Sequence, residues 1–277
     1  MAANTIRLGG VPEHFNYPWH LCADALANQK SDFLIHWKDF PGGSGAMIGA
    51  LEVGELDAAL VLTESVVHAL NRNAAIVPLS LYVESPLVWG IFSGAQSAVN
   101  QVDIAAQPRY AISRFGSGSH LMAVVDAHMR GGTIAEHQWV VVQSLARAKE
   151  VLRQNEADLF FWEKWMTKPL VDQGILKMVD ERPTPWSCFT LVCTTAFSED
   201  PASMAMLRKA MLQTLGLARE FREQADAADL LAAAYHLQPD DAASWLQQVR
   251  WAPTWTNPEP ALEIARNWLK EIEINKL

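Results

Sequence analysis

Through its first 110 residues the chain alternates short apolar runs with stretches whose apolar positions recur every three or four residues. Residues 6–10, 33–37, 57–62 and 76–83 read as strands, and the 57–62 run (Asp-Ala-Ala-Leu-Val-Leu) is apolar enough to be a buried one. Between them the spacing predicts helices over 18–28, with Trp19, Cys22, Ala23 and Leu26 on one face, over 46–53, ending at Gly54, and over 64–71. Strands separated in this way predict βαβ units and a mainly parallel sheet. A second series follows, with strands at 110–113, 139–142 and 157–161 and helices at 119–129 and 144–154. The order strand, Gly/Ser turn, helix therefore occurs around 33–53 and again around 110–129, which suggests two similar lobes. After Cys193 the pattern changes. Helices are predicted over 201–223, 226–236 and 240–249, and a last one starts near Pro260, with Leu262, Ala265, Leu269 and Ile272 on one face. This tail is expected to be all helical and to pack back onto an earlier lobe.

Composition narrows the class. Half of the residues are hydrophobic and 19% are charged, which excludes a disordered chain. At 277 residues there is room for one large domain or two lobes of roughly 100–150 residues. Lys and Arg number 22 against 31 Asp and Glu, a formal charge of −9, so nucleic acid and anionic lipid are poor partners. No apolar stretch approaches the ~20 residues of a membrane span. Cys22, Cys188 and Cys193 are an odd count without a CxxC pair, so neither a disulfide framework nor a zinc site is expected. The first residues run straight into a strand, without the basic segment, apolar core and cleavage site of a leader. Read as it stands, the chain is expected in the cytoplasm, and in the periplasm only if a leader has been removed.

Three segments place a turn between a strand and a helix: Pro41-Gly42-Gly43-Ser44-Gly45-Ala46-Met47, Arg114-Phe115-Gly116-Ser117-Gly118-Ser119-His120, and the less glycine-rich 11–18. Glycines let a ligand approach the backbone, and a helix N-terminus favours an anionic or acceptor group. The bland alternative is a tight turn with a serine N-cap. Neither glycine turn is a P-loop, and Gly43, Gly45 and Gly49 do not fit GxGxxG, so no nucleotide cofactor is indicated. Two extended stretches, 82–90 and 183–192, are expected to cross between lobes. A third candidate is the strand end at 158–165, where Trp162 and Glu163 stand beside Lys164. The eight His residues lack metal-ligand spacing and there is no GxSxG elbow, so neither a metal site nor a catalytic triad is expected.

The run 6–12, the turn within 37–51, and Gly54-Glu55-Leu56-Asp57-Ala58-Ala59-Leu60 resemble type II periplasmic solute-binding proteins, in the branch for nitrate, sulfonate and thiamine-pyrimidine precursors. A signal-less subgroup of that branch, found in fungi and bacteria, is similar also in Tyr82-Val83-Glu84-Ser85-Pro86-Leu87, Ser113–Ser119, Phe161–Lys164 and Thr184-Pro185-Trp186. The resemblance implies two α/β lobes, each a mainly parallel sheet flanked by helices, with lobe 1 from residues 1–87 and 191–277 and lobe 2 from 88–190. It further implies two hinge crossings and a ligand held between the lobes in Venus-flytrap fashion. The family's binding segments fall on the loop 13–19, with His14, Phe15 and Tyr17; on 43–46, with Gly43, Ser44 and Gly45; on Thr63 and Glu64; on 84–86, with Glu84 and Ser85; on Gly116, Ser117, Gly118 and Ser119; and on Trp162 and Glu163. Arg114 beside the serine turn is a further candidate ligand contact. The cysteine-rich motif of the yeast-type thiamine-pyrimidine synthases is absent.

Together these readings give a small-molecule binding protein for a small heteroaromatic or anionic ligand, with no catalytic residue, cofactor or metal. Trp162 or Phe15 would stack on the ligand and Glu64, Glu84 or Glu163 would accept from ring N–H groups. Two other readings stay open: an enzyme of cofactor-precursor metabolism on the same fold, marked by a perturbed acid–base pair, and a ligand-sensing interaction protein, marked by an exposed apolar patch. A transporter partner has no support in the sequence.

Overall fold

The computed structural model describes residues 4–29 and 31–272. In chain order the elements are β1 (Asn4–Gly10), α1 (Tyr17–Asn28), β2 (Phe33–Asp39), α2 (Gly43–Glu52), β3 (Ala58–Leu62), α3 (Thr63–Asn71), β4 (Ile76–Val83), β5 (Val88–Gly94), β6 (Tyr110–Ile112), α4 (Gly118–Met129), β7 (Trp139–Val141), α5 (Leu145–Arg153), β8 (Leu159–Glu163), α6 (Lys164–Asp172), β9 (Leu176–Pro183), β10 (Phe189–Thr194), α7 (Thr195–Ser198), α8 (Pro201–Arg222), α9 (Ala227–Tyr235), α10 (Pro239–Gln248), β11 (Trp251–Thr256) and α11 (Glu259–Glu271). The chain divides into two compact units. Unit 1 takes in the described residues up to Pro86 together with Trp186–Arg266, and unit 2 takes in Leu87–Pro185 and the described residues from Asn267.

Unit 1 holds a six-stranded sheet in the order β11-β4-β10-β3-β1-β2. β1 runs parallel to β2 and β3, whereas β10 runs against both β3 and β4, and β11 runs against β4. Most strands thus share one direction, with a reversed strand set into the middle and another at the edge. Apolar side chains of the sheet and its helices, among them Ile6, Leu8, Trp19, Phe33, Tyr82, Phe189 and Phe221, are buried in this unit. Unit 2 repeats the plan with five strands, β7-β6-β8-β5-β9, in which β6 is parallel to β7 and β8, and β5 is reversed. Its core gathers Phe92, Ala111, Val151, Leu152 and Phe160.

Several elements differ from the sequence reading, α6 and the short α7 among them, which it did not include. β9 went unforeseen because Lys177, Asp180, Glu181 and Arg182 break its apolar pattern; it is an edge strand, where outward charges are tolerated. The tail is not all helical, since Trp251–Thr256 forms β11. Pro253 sits in this edge strand, whose pairing with β4 is interrupted by a bulge, and its carbonyl accepts from Arg219 at 2.6 Å. α2 begins at Gly43, not at Ala46, so Ser44 lies inside the helix and is no N-cap.

At the strand starts the two units use the same clamp. The Arg7 amide and guanidinium both donate to Asp57 (2.7 Å to Oδ2 from the amide, 2.6 Å to Oδ1 from Nη2), and Nη1 reaches the carbonyl of Gly54. The Arg109 amide and guanidinium donate to Asp158 (2.7 Å to Oδ2 and 2.9 Å to Oδ1), and Nη2 reaches the carbonyl of Asn155. Gly54 and Asn155 both turn the chain with positive φ, +72° and +54°.

Candidate functional site

The register of each sheet gathers the candidate residues at one edge, the one opposite the clamps. In unit 1, β1, β2 and β3 all end there, and Phe189, the first residue of β10, pairs with both Leu62 and Val83. The loop around His14, the turn at Gly43, the start of α3 at Thr63 and the segment Glu84–Ser85 therefore lie along this edge. In unit 2, β6 ends at Ile112 beside the Ser113–Ser119 turn, and Trp89 pairs in register with Glu163. Ligands of open α/β sheets bind outside such carboxyl ends.

Along the unit 1 edge, several candidates serve the unit's own packing. His14 is fully buried against the rings of Phe15, Tyr235 and Trp245, and burial drives its pKa down to about 3. Phe15 packs on Phe189 and Trp245, and its carbonyl accepts from the Tyr82 hydroxyl at 2.6 Å and the Trp251 indole at 3.1 Å. The residue is 3% exposed, so Phe15 belongs to the aromatic core and presents no open stacking face. Tyr17 packs on Phe221 and Tyr235. Gly43 turns with φ +71° into open space, and the hydroxyl of Ser44 accepts from the Leu62 amide at 3.0 Å. That bond ties α2 to the end of β3. Gly45 is exposed.

The start of α3 carries more chemistry. The Thr63 hydroxyl donates to the Cys188 carbonyl at 3.1 Å and meets that of Thr190 at 3.1 Å. Glu64 is buried; its Oε2 accepts from the Trp186 indole at 2.7 Å, and its Oε1 has no hydrogen-bond partner among the described residues. Burial pushes the Glu64 pKa up to about 7, against its own backbone N–H and the indole, which lower it. Burial also raises Glu13 to about 7. Glu84 is half-buried and donates its amide to the Arg250 carbonyl at 2.8 Å, while the Ser85 hydroxyl accepts from the Arg250 amide at 3.1 Å.

The unit 2 edge centres on the serine turn. Ser117 is a true N-cap of α4, its hydroxyl accepting from the His120 amide at 3.4 Å and donating to the Arg114 carbonyl at 2.6 Å. The Ser119 hydroxyl accepts from the Ser113 amide at 2.9 Å and lies 3.0 Å from that of Ser117. Gly116, at φ +74°, donates its amide to His120 Nδ1. The hydroxyls are thus engaged within the turn, and the amides of Gly118 and Ser119 have no partner among the described residues, as first-turn amides do. The exposed guanidinium of Arg114 has no ion-pair partner among the described residues. A Cβ on Gly118 would stand 2.4 Å from Trp89 Cη2, so the indole leaves no room for a side chain at this position. Trp162 stacks on Phe160 with ring centroids 5.2 Å apart, which takes up one face. Glu163 caps α6 by accepting from the Met166 amide at 2.6 Å.

The sequence reading did not single out Trp186, Trp89 or His120 as site residues. Trp186 was visible only as the end of the Thr-Pro-Trp run, and Trp89 only as one of eleven tryptophans.

This architecture is shared. The chain superposes on the Candida albicans CA3427 gene product, described as defining a new family with the generic periplasmic binding protein fold, with a TM-score of 0.87 and 23% identity over 98% of this chain and 90% of that one. The fold is that of the periplasmic binding proteins. Residues 89–182 match the family model described as Ca3427-like PBP. Two sulfonate-binding proteins are similar at lower identity. One is the aliphatic sulphonate binding protein SsuA of Escherichia coli (TM-score 0.69, 17% identity, 99% of this chain and 89% of that chain). The other is the alkanesulfonate-binding SsuA of Xanthomonas axonopodis pv. citri, solved with MOPS (TM-score 0.73, 16% identity, 99% and 95%). No curated protein matches the chain in sequence.

Proposed function

We propose that this chain is a small-molecule binding protein whose ligand, small and heteroaromatic or anionic, is contacted by residues at the strand-end edges. The observation that carries the reading is Glu64: a buried carboxyl at such an edge with one oxygen unsatisfied among the described residues, which is costly unless a ligand completes it. The partnerless amides of Gly118 and Ser119 with the unpaired Arg114 support an anionic group, and the sulfonate ligands of the two SsuA proteins fit the same chemistry. The buried thiols of Cys22 and Cys193 support a cytoplasmic setting. The test is calorimetric titration and thermal melting with MOPS and with 4-aminopyrimidine. Saturable binding with a rise in melting temperature is expected for at least one. No heat and no stabilisation with either overturns the reading.

A second reading, an enzyme of cofactor-precursor metabolism, draws on Glu13 and Glu64, whose carboxyls both titrate near neutrality. Release of a chemically altered ligand after incubation would favour it; recovery of the unaltered ligand would remove it.

A further inference from the structure

Glu64 also narrows the ligand class, an inference that rests on the binding-protein reading. It opens the first turn of α3 and is 2% exposed. Its Oε2 is committed to the Trp186 indole at 2.7 Å, and its Oε1 is buried without a partner among the described residues. Left so, the group bears the desolvation penalty of an unmade hydrogen bond. We infer that Oε1 of Glu64 accepts an N–H group of the ligand, and that the ligand is a nitrogen base: an amine, an amidine or a protonated ring nitrogen.

The groups acting on this carboxyl are few. Burial raises its pKa, while its own backbone N–H and the Trp186 indole lower it. His68, one turn along α3, has a buried Nε2 without a hydrogen-bond partner among the described residues, and burial and Arg72 hold its pKa below the ordinary value. The unliganded carboxyl therefore keeps its proton until about pH 7. A cationic N–H group pairs best with the ionised form, so its binding expels that proton at lower pH, and affinity rises as pH increases through 7.

Benzamidine, cationic throughout this range, is the probe, with ethanesulfonate as an anionic counterpart. Calorimetry on the wild-type protein is expected to give a benzamidine dissociation constant roughly 30-fold lower at pH 8 than at pH 5.5. Glu64→Gln keeps an acceptor for the indole; it is expected to abolish the pH dependence and to weaken binding at pH 8 by about tenfold. Infrared difference spectra of the unmutated protein should show a protonated-carboxyl band at pH 5.5 that disappears when benzamidine is added. Equal benzamidine affinity in wild type and Glu64→Gln, or an unchanged band, overturns the assignment. Binding of ethanesulfonate without benzamidine overturns it while leaving the binding-protein reading intact; binding of neither overturns both.

Discussion

The two ends of the sheets tell different stories. At the strand starts the units are near copies: Arg7 and Asp57 in one and Arg109 and Asp158 in the other make the same amide, guanidinium and carbonyl bonds. At the strand ends they diverge. Unit 1 presents a buried carboxyl, Glu64, bonded through one oxygen to an indole, whereas unit 2 presents a buried carboxyl, Glu163, that caps a helix, a turn whose serine hydroxyls are engaged from within, and an exposed arginine without an ion-pair partner among the described residues. The frame repeats because it solves one problem twice, anchoring a βαβ unit. The edges differ because each is shaped by its own chemistry, and that is where function is sought.

The largest expected effect sets the edges apart by pH. The Glu64 carboxyl, raised from 4.5 to about 7 in the folded protein, is still protonated where the unfolded chain has already ionised. Its contribution therefore falls as pH rises from 4.5 to 7, by about 3 kcal/mol. Denaturant melts across that window should show the wild type losing stability relative to Glu64→Gln; parallel curves would mean that the carboxyl is not perturbed. His14 works in the opposite sense: its depressed pKa makes the fold lose stability as pH falls from 6.5 toward 3.

The glycine turns come next. Gly118→Val is expected to destabilise by about 1–3 kcal/mol through collision with Trp89. Gly45→Val, at an exposed helical position, should stay within about 0.5 kcal/mol of wild type. A Gly118→Val protein as stable as wild type would show that the Trp89 packing is wrong. Loss of binding in that variant would reflect folding as much as ligand contact, so it is no clean probe of the site.

Replacing Asp57 or Asp158 by Ala breaks one clamp in each unit. Both partners are partly solvated, so a cost of about 1 kcal/mol is expected in each, and of similar size in the two. A clear inequality would show that the clamps are alike in geometry but not in energy.

The serines give the smallest contrast in stability. Ser117→Ala removes an N-cap and should cost about 0.5–2 kcal/mol. Ser44→Ala strips a partner from the Leu62 amide and should cost about 1 kcal/mol, with no loss of α2 helicity by circular dichroism, since Ser44 caps nothing.

Much of the frame was legible because periodicity is local. The 57–62 run and the 119–129 pattern became β3 and α4 with little change. Strand direction is not local: nothing between Phe189 and Thr194 announces that β10 runs against its neighbours. β9 hid behind its charges and β11 behind Pro253. The turns were legible as turns but not in their use. The same Gly-Ser-Gly spelling puts Ser117 at a cap and Ser44 one residue inside a helix. The state of Glu64 was out of reach, because its Trp186 partner lies 122 residues away.

The central claim is that this chain holds a small molecule. Native mass spectrometry of freshly purified protein tests it most directly. A small non-covalent adduct is expected in the native spectrum, lost on denaturation and depleted in Glu64→Gln. A native mass equal to the bare 30.7 kDa chain, in wild type and variant alike, would contradict it.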